Sequence, residues 1–434
     1  MTSTPPAGTR DCGCPEGAAA SGLSRRGLLK GVLGGAALGG LATVAGETAS
    51  ARYAFAAGPY DGDVLVVLSL RGGMDGLNVV VPTGDADYLR LRPTIGLQPG
   101  ALIARDARFG LHPALKPLLP FWQAGTFGAV HAVGQADPTR SHFEAMAEME
   151  RAAPGSSMRT GWLDRTLGLR PSGTAFQAAM VGSTQVPSSL IGDTPEMCLW
   201  SIDSFDLSGA WDTTERTRWT TAVAAMYAEA PEPLAGPARI TLDAVGTMAA
   251  LSNDTAYTPG ATYPDGDLGR TLRDIAHMIK AGIGLQVACL DFGDWDMHAG
   301  MGTADDGWLH DHLGELALAL AAFATDLGPK FADVTLVTLS EFGRRAEENG
   351  SGGVDHGHGN AVLMLGGGVV GGRVHGVWPG LGSSALVDGD LAGTTDYRVL
   401  LGEILQKRCR LGSVSSVFPG LSSSGQLGVV RARA

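Results

Sequence analysis

Val64-Leu65-Val66-Val67-Leu68 is an unbroken run of branched apolar residues, and it ends in the turn sequence Arg71-Gly72-Gly73-Met74-Asp75-Gly76. A run of this length bounded by turn residues reads as a strand buried on both faces. Comparable runs recur at Thr126 to Val133, Ala178 to Val181, Leu285 to Leu290, Val334 to Leu339 and Ala361 to Leu365. Helical patterns lie between them, at Ser141 to Arg151, Thr214 to Glu229, Leu268 to Lys280, Trp308 to Leu327 and Asp396 to Gln406. This alternation predicts an α/β fold with a largely parallel sheet flanked by helices, spanning residues 58–434. The stretch 154–267 is rich in turn clusters and poor in acid and histidine pairs, so it reads as a cap insertion on the sheet rather than a separate domain.

Composition narrows the class. Of 434 residues, 44% are hydrophobic, which excludes a disordered polymer, and no apolar run reaches the length of a membrane span. The formal net charge of -12 argues against nucleic acid as a partner. The acidic surplus serves solubility or reserves carboxylates for cations. Many of the 64 glycines stand at the ends of the expected strands, where loops turn sharply or approach a ligand.

The N-terminus carries Ser24-Arg25-Arg26-Gly27-Leu28-Leu29-Lys30, then a glycine-rich apolar stretch from Gly31 to Ala45, then Ala49-Ser50-Ala51. Basic region, short apolar region and small-residue cleavage site follow in the order of a secretory signal. The segment resembles a twin-arginine export signal and departs from it at Leu28. The resemblance implies removal of residues 1–51 and transfer by the twin-arginine export machinery. The product is then secreted, periplasmic or cell-wall associated, with no stable membrane anchor.

In parallel α/β sheets ligands bind beyond the carboxyl ends of the strands. The residues following the apolar runs are Asp75; Arg140, Ser141 and His142; Asp291, Asp294, Asp296 and His298; and Glu341 with Arg344 and Arg345. Asp355-His356-Gly357-His358 precedes the last run. Carboxylates converging on one mouth raise each other's pKa unless a cation neutralises them, and Asp with His suits zinc or manganese. Ser141 at a helix N-terminus beside a cation is a poised nucleophile, although with Glu144 it also forms a capping box. Arg140 and Arg344 are placed to hold an anionic group. The combination suits hydrolysis of a small anionic phosphate or sulfate ester.

At these residues the chain resembles a family of twin-arginine-exported bacterial proteins of unknown function grouped with the alkaline phosphatase and sulfatase-like superfamily. The matching pieces are Leu70 to Asn78, Ser141-His142-Phe143, Trp295-Asp296-Met297-His298, Leu339 to Arg344, Asp355 to Gly359 and Thr395-Asp396-Tyr397-Arg398. The superfamily implies an alkaline phosphatase-like fold and a metal-dependent hydrolase or phosphotransferase. It also implies one or two divalent metal ions, zinc, manganese, calcium or magnesium. Asp75 resembles the first-strand metal Asp, Ser141 the nucleophile, and Asp294 or Asp296 with His298 an Asp and His sharing one metal. His356 resembles the last metal His. At Glu341-Phe342 the superfamily usually carries an Asp-His pair, so Glu341, Asp355 or His358 stands as the substitute ligand. The alternative is a catalytically silent exported protein that keeps the fold and binds a metal or another ligand.

Overall fold

Alternate residues of the first strand, β1 (Val64–Leu70), enter two different cores. Val66, Leu68 and Leu70 face one side, and Leu65 and Val67 the other. The computed structural model describes residues 60–136, 138–170, 176–207, 209, 212–421 and 425–433. The export signal expected over 1–51 lies outside them.

The remaining strands are β2 (Val80–Val81), β3 (Gly110–Leu111), β4 (Phe127–Gly134), β5 (Ala178–Val181), β6 (Met197–Leu199), β7 (Val287–Phe292), β8 (Val334–Leu339), β9 (Asn360–Gly366), β10 (Val374–His375) and β11 (Thr395–Asp396). Nine of them form one sheet in the order β10-β4-β9-β8-β1-β7-β5-β6, with β11 also on β4, while β2 and β3 pair separately. The sheet is parallel throughout except at β9, which runs antiparallel to both β8 and β4. The expected α/β fold with a mostly parallel sheet is therefore present.

Helices cover both faces. Asp267–Ala281 and Trp308–Leu327 bring Leu272, Ile275, Leu313, Leu316 and Leu320 onto the core of Val66 and Leu68. Trp162–Leu169 and Tyr397–Lys407 bring Trp162, Leu163, Leu400, Leu401 and Ile404 onto that of Leu65 and Val67. Each such side chain contributes about 1.5–3 kcal/mol on burial. Part of the stretch 154–267 extends the sheet itself, through β5 and β6, and its helices Thr213–Tyr227 and Glu232–Ser252 follow. The buried Asp326 ties the end of this stretch to the body, accepting from Tyr257, Tyr263, the Gly260 nitrogen and Lys280.

Two features shape the sheet edge where β1, β4, β7 and β8 end. The reversed β9 begins at that same edge, so residues 340–359 form a long hairpin lying wholly over it. The β4–β9 register shifts between Val130 and Val133, a bulge just before the segment that leads to Ser141.

At the opposite end of β1, Asp63 is fully buried. It accepts from Arg408 at 2.8 and 2.9 Å, from Arg433 at 2.6 Å and from Thr335 at 2.7 Å. Asp63→Asn leaves two guanidinium groups facing an uncharged amide. It is expected to lower stability by about 3–5 kcal/mol in urea unfolding, whereas a loss below about 1 kcal/mol contradicts a structural role for this pair.

Candidate metal centre

The Gly72-Gly73 turn after β1 is the first element of the site. Gly72 has φ +112°, and a Cβ there would lie 2.7 Å from the Asp296 nitrogen. Only glycine lets the segment after β7 come this close to β1. Trp295 is buried and donates its Nε1–H to the Phe292 carbonyl at 3.0 Å, fixing the chain just before Asp296.

Arg344 completes this corner. Its guanidinium donates to the carbonyls of Gly72, Gly73, Trp295 and Val354 and to Asp296 Oδ1, the last at 2.7 Å. Burial pushes the Asp296 carboxyl up, but the hydrogen bond and charge of Arg344 outweigh it and hold the group below the usual carboxylate range. Arg344 is only 1% exposed, and its donors are committed to the fold. It positions Asp296 and does not face a ligand, contrary to its expected part in anion binding.

Three imidazoles converge on Asp296. His356 Nε2 lies 3.0 Å from His142 Nε2, 3.0 Å from His298 Nε2 and 3.1 Å from Asp296 Oδ1. Asp296 Oδ1 is also 3.0 Å from His298 Nε2 and 3.6 Å from His142 Nε2. Four ligand atoms arranged tetrahedrally around zinc at 2.0–2.1 Å are about 3.3 Å apart. The separations among His142, Asp296 and His356, from 3.0 to 3.6 Å, suit three corners of that shape, and His298 lies against the Asp296–His356 edge.

The far side of each ring decides what these nitrogens can do. His142 Nδ1 is 2.7 Å from Glu341 Oε1, His298 Nδ1 is 2.9 Å from Asp355 Oδ1, and His356 Nδ1 is 2.8 Å from the Arg140 carbonyl. Ionised carboxylates and carbonyls only accept, so each Nδ1 carries a proton, and in that neutral tautomer the Nε2 presents a lone pair to the others. One shared proton relieves one such contact and leaves the rest opposed. A divalent cation would satisfy the atoms of His142, Asp296 and His356 together, with His298 at their edge, and an outer carboxylate or carbonyl on each ligating histidine is the usual support for one.

Those supports are themselves held. Glu341 is buried and its Oε1 also accepts from the Gly72 nitrogen at 2.8 Å. Asp355 accepts from Asn349 at 3.1 Å, and the hydrogen bonds from His298 and Asn349 keep its carboxyl below the ordinary range. Phe342, which cannot ligate, packs its ring 4.8 Å from those of both His142 and His356. The imidazoles are partly exposed, so a solute can reach the cluster from outside.

The fold thus brings together Asp296, His298 and His356 of the expected ligands and adds His142. The signal for His142 was its place directly after the expected helix cap. Of Asp294 and Asp296, it is Asp296 whose Oδ1 lies among the imidazole nitrogens, while Asp294 stands in a left-handed turn at φ 63°. Asp75 is outside the cluster, since both its oxygens accept from the buried Arg92 at 2.5 and 2.9 Å. Glu341 and Asp355 orient histidines instead of converging with them. His358 turns away, its Nε2 3.1 Å from the Gln135 carbonyl.

Ser141 caps helix His142–Arg151, its Oγ accepting from the Glu144 nitrogen at 3.5 Å. The expected capping box with Glu144 does not form: the Ser141 nitrogen donates to the Thr139 hydroxyl, which in turn donates to Glu144. Arg140 pairs with Asp390 at 2.7 Å.

A family model described as "Protein of unknown function (DUF1501)" matches residues 137–402, the segment that holds every member of the cluster. No curated protein matches the chain. The chain is similar to two crystal structures of the C-terminal periplasmic domain of EcEptC from Escherichia coli, one of them in complex with Zn. Identity is 8% over 72% of this chain and 77% of theirs, with TM-scores of 0.28 and 0.27.

Glu341→Gln is expected to weaken zinc binding by about 10–100-fold in chelator competition by loosening His142. Asp75→Asn is expected to leave zinc affinity unchanged. An equal loss in both variants contradicts this division of roles.

Proposed function

The chain belongs to the DUF1501 family of proteins of unknown function, and we propose that it is an exported, metal-dependent hydrolase of small phosphate or sulfate esters. The observation that carries this reading is the convergence of His142, His298 and His356 Nε2 with Asp296 Oδ1, every imidazole proton being committed to the far side of its ring. A donor set of three nitrogens and one oxygen favours zinc or manganese over calcium and magnesium, which prefer oxygen throughout. Bound there, such a cation would supply Lewis-acid polarisation of an ester oxygen and acidify a bound water.

The chain's own contribution follows from the helix that carries His142. Ser141 Oγ accepts at the helix N-terminus, which leaves its O–H proton to be given up. The unpaired backbone N–H groups of the first turn favour negative charge on that oxygen. We assign Ser141 as the nucleophile on this basis. Export rests on the Arg25-Arg26 segment and its neighbours in the sequence. Among the described residues no helix is long and apolar enough to cross a membrane.

A second reading is a catalytically silent exported metal-binding protein. It is favoured by the use of Ser141 Oγ as a cap and by Phe342 standing where the superfamily carries a second-metal histidine.

Substrate screening separates the two, using p-nitrophenyl phosphate, bis(p-nitrophenyl) phosphate and p-nitrophenyl sulfate. Ser141→Ala is expected to abolish turnover, leave cation content unchanged and cost about 1 kcal/mol of stability through the lost cap. Unchanged turnover in Ser141→Ala overturns the serine assignment. Full cation content without turnover of any of the three esters in the wild type supports the silent reading.

A further inference from the structure

We propose that Arg140 and Arg345, gathered on the carboxylate of Asp390, recognise a tetrahedral oxyanion beside the cation site. The inference rests on the cation site proposed above and supplies its ligand-facing half.

Arg344 is enclosed and its donors are spent on carbonyls and Asp296, so it is unable to serve. Its neighbours are placed differently. The side chain of Arg140 is 46% exposed and donates to Asp390 Oδ2 at 2.7 Å. The Arg140 carbonyl accepts from His356 Nδ1 at 2.8 Å, which pins the residue to a member of the cluster. Arg345 is 35% exposed and directly follows Arg344, which bridges to His356 through the main chain. Its Nη2 donates to the Asp388 carbonyl at 2.7 Å, and its Nε lies 3.8 Å from Asp390 Oδ1.

The loop around Asp390 is moulded to this arrangement. Asp388 and Gly389 take left-handed φ of 53° and 83°, and a Cβ on Gly389 would collide with Arg345 Nη2. Asp390 is 4% exposed, and its Oδ1 makes no hydrogen bond to a described residue. Two guanidinium groups therefore share one buried carboxylate, and Arg345 is also felt by the carboxylate of Asp355.

An arginine has five N–H donors in a planar fork. Among the described residues Arg140 uses one donor in a hydrogen bond, to Asp390, and Arg345 uses one, to Asp388. The rest suit the several oxygens of a phosphate or sulfate, whose charge matches the two guanidinium groups and the proposed cation.

Calorimetric titration of the cation-loaded full chain with inorganic phosphate and with inorganic sulfate tests the proposal, with cation content measured on the same samples. Arg140→Met and Arg345→Met are each expected to weaken binding about tenfold or more at unchanged cation content. Arg345→Lys keeps the charge without the fork, is expected to fall between, and decides the matter if Arg345→Met does not fold. Arg90→Met, which removes an exposed arginine paired with Asp87 elsewhere, is expected to change nothing. The proposal is overturned if both Met variants bind as the wild type does or Arg90→Met loses as much. It is also overturned if the cation-loaded wild type binds neither anion at millimolar concentration. A wild type that takes up no cation overturns the cation reading, and this inference with it.

Discussion

Neutral imidazole nitrogens that face one another repel, and this fold holds His356 Nε2 at 3.0 Å from two other imidazole nitrogens and 3.1 Å from a carboxylate oxygen. The cost is not relaxed by turning the rings, because Glu341, Asp355 and the Arg140 carbonyl hold their other sides. Each support is anchored in turn, Glu341 to the Gly72 nitrogen, Asp355 to Asn349, and Arg140 to Asp390. The cluster is thus an organised opposition of like groups, which is what a cation site looks like from the side of its ligands.

The sheet makes this arrangement available. Reversal of β9 sends residues 340–359 out and back over one edge, so a single hairpin delivers Glu341, Phe342, Arg344, Arg345, Asp355 and His356. The parallel strands β1, β4 and β7 bring the Gly72-Gly73 turn, the segment ending in His142, and Asp296 with His298 to the same edge. Arg344 sits where these segments meet and joins three of them through their carbonyls. Hydrophobic burial on both faces of the sheet holds the strand ends fixed, and the polar contacts then act between rigid neighbours.

The strands were legible because branched apolar runs bounded by turns have few other uses. β5 and β8 occupy the expected residues, and helix Trp308–Leu327 does as well. β6, three residues long, left no periodic trace, and its pairing on β5 is a tertiary fact. The direction of β9 was equally hidden, since an apolar run carries no arrow. Within the site, Asp296, His298 and His356 stood out because they lie in short turn-rich segments between strands and helices. Asp75 looked the same in sequence, and only the fold shows Arg92 beside it. His142 was masked by its neighbour, because the helix-capping and nucleophile patterns both drew attention to Ser141. Glu341 and Asp355 had the right chemistry for ligands, and their roles as orienting partners depend on distances that spacing along the chain does not encode.

X-ray absorption at the zinc edge of the zinc-loaded protein separates an imidazole-bound cation from one held by surface carboxylates. One zinc per chain is expected, in a four-coordinate shell of nitrogen and oxygen at about 2.0–2.1 Å, dominated by imidazole scattering and free of sulfur. Replacement of His142 by Ala should lower the imidazole count by one. Zinc held mainly by carboxylate and water oxygens, or a spectrum indifferent to His142, would contradict the imidazole-bound cation.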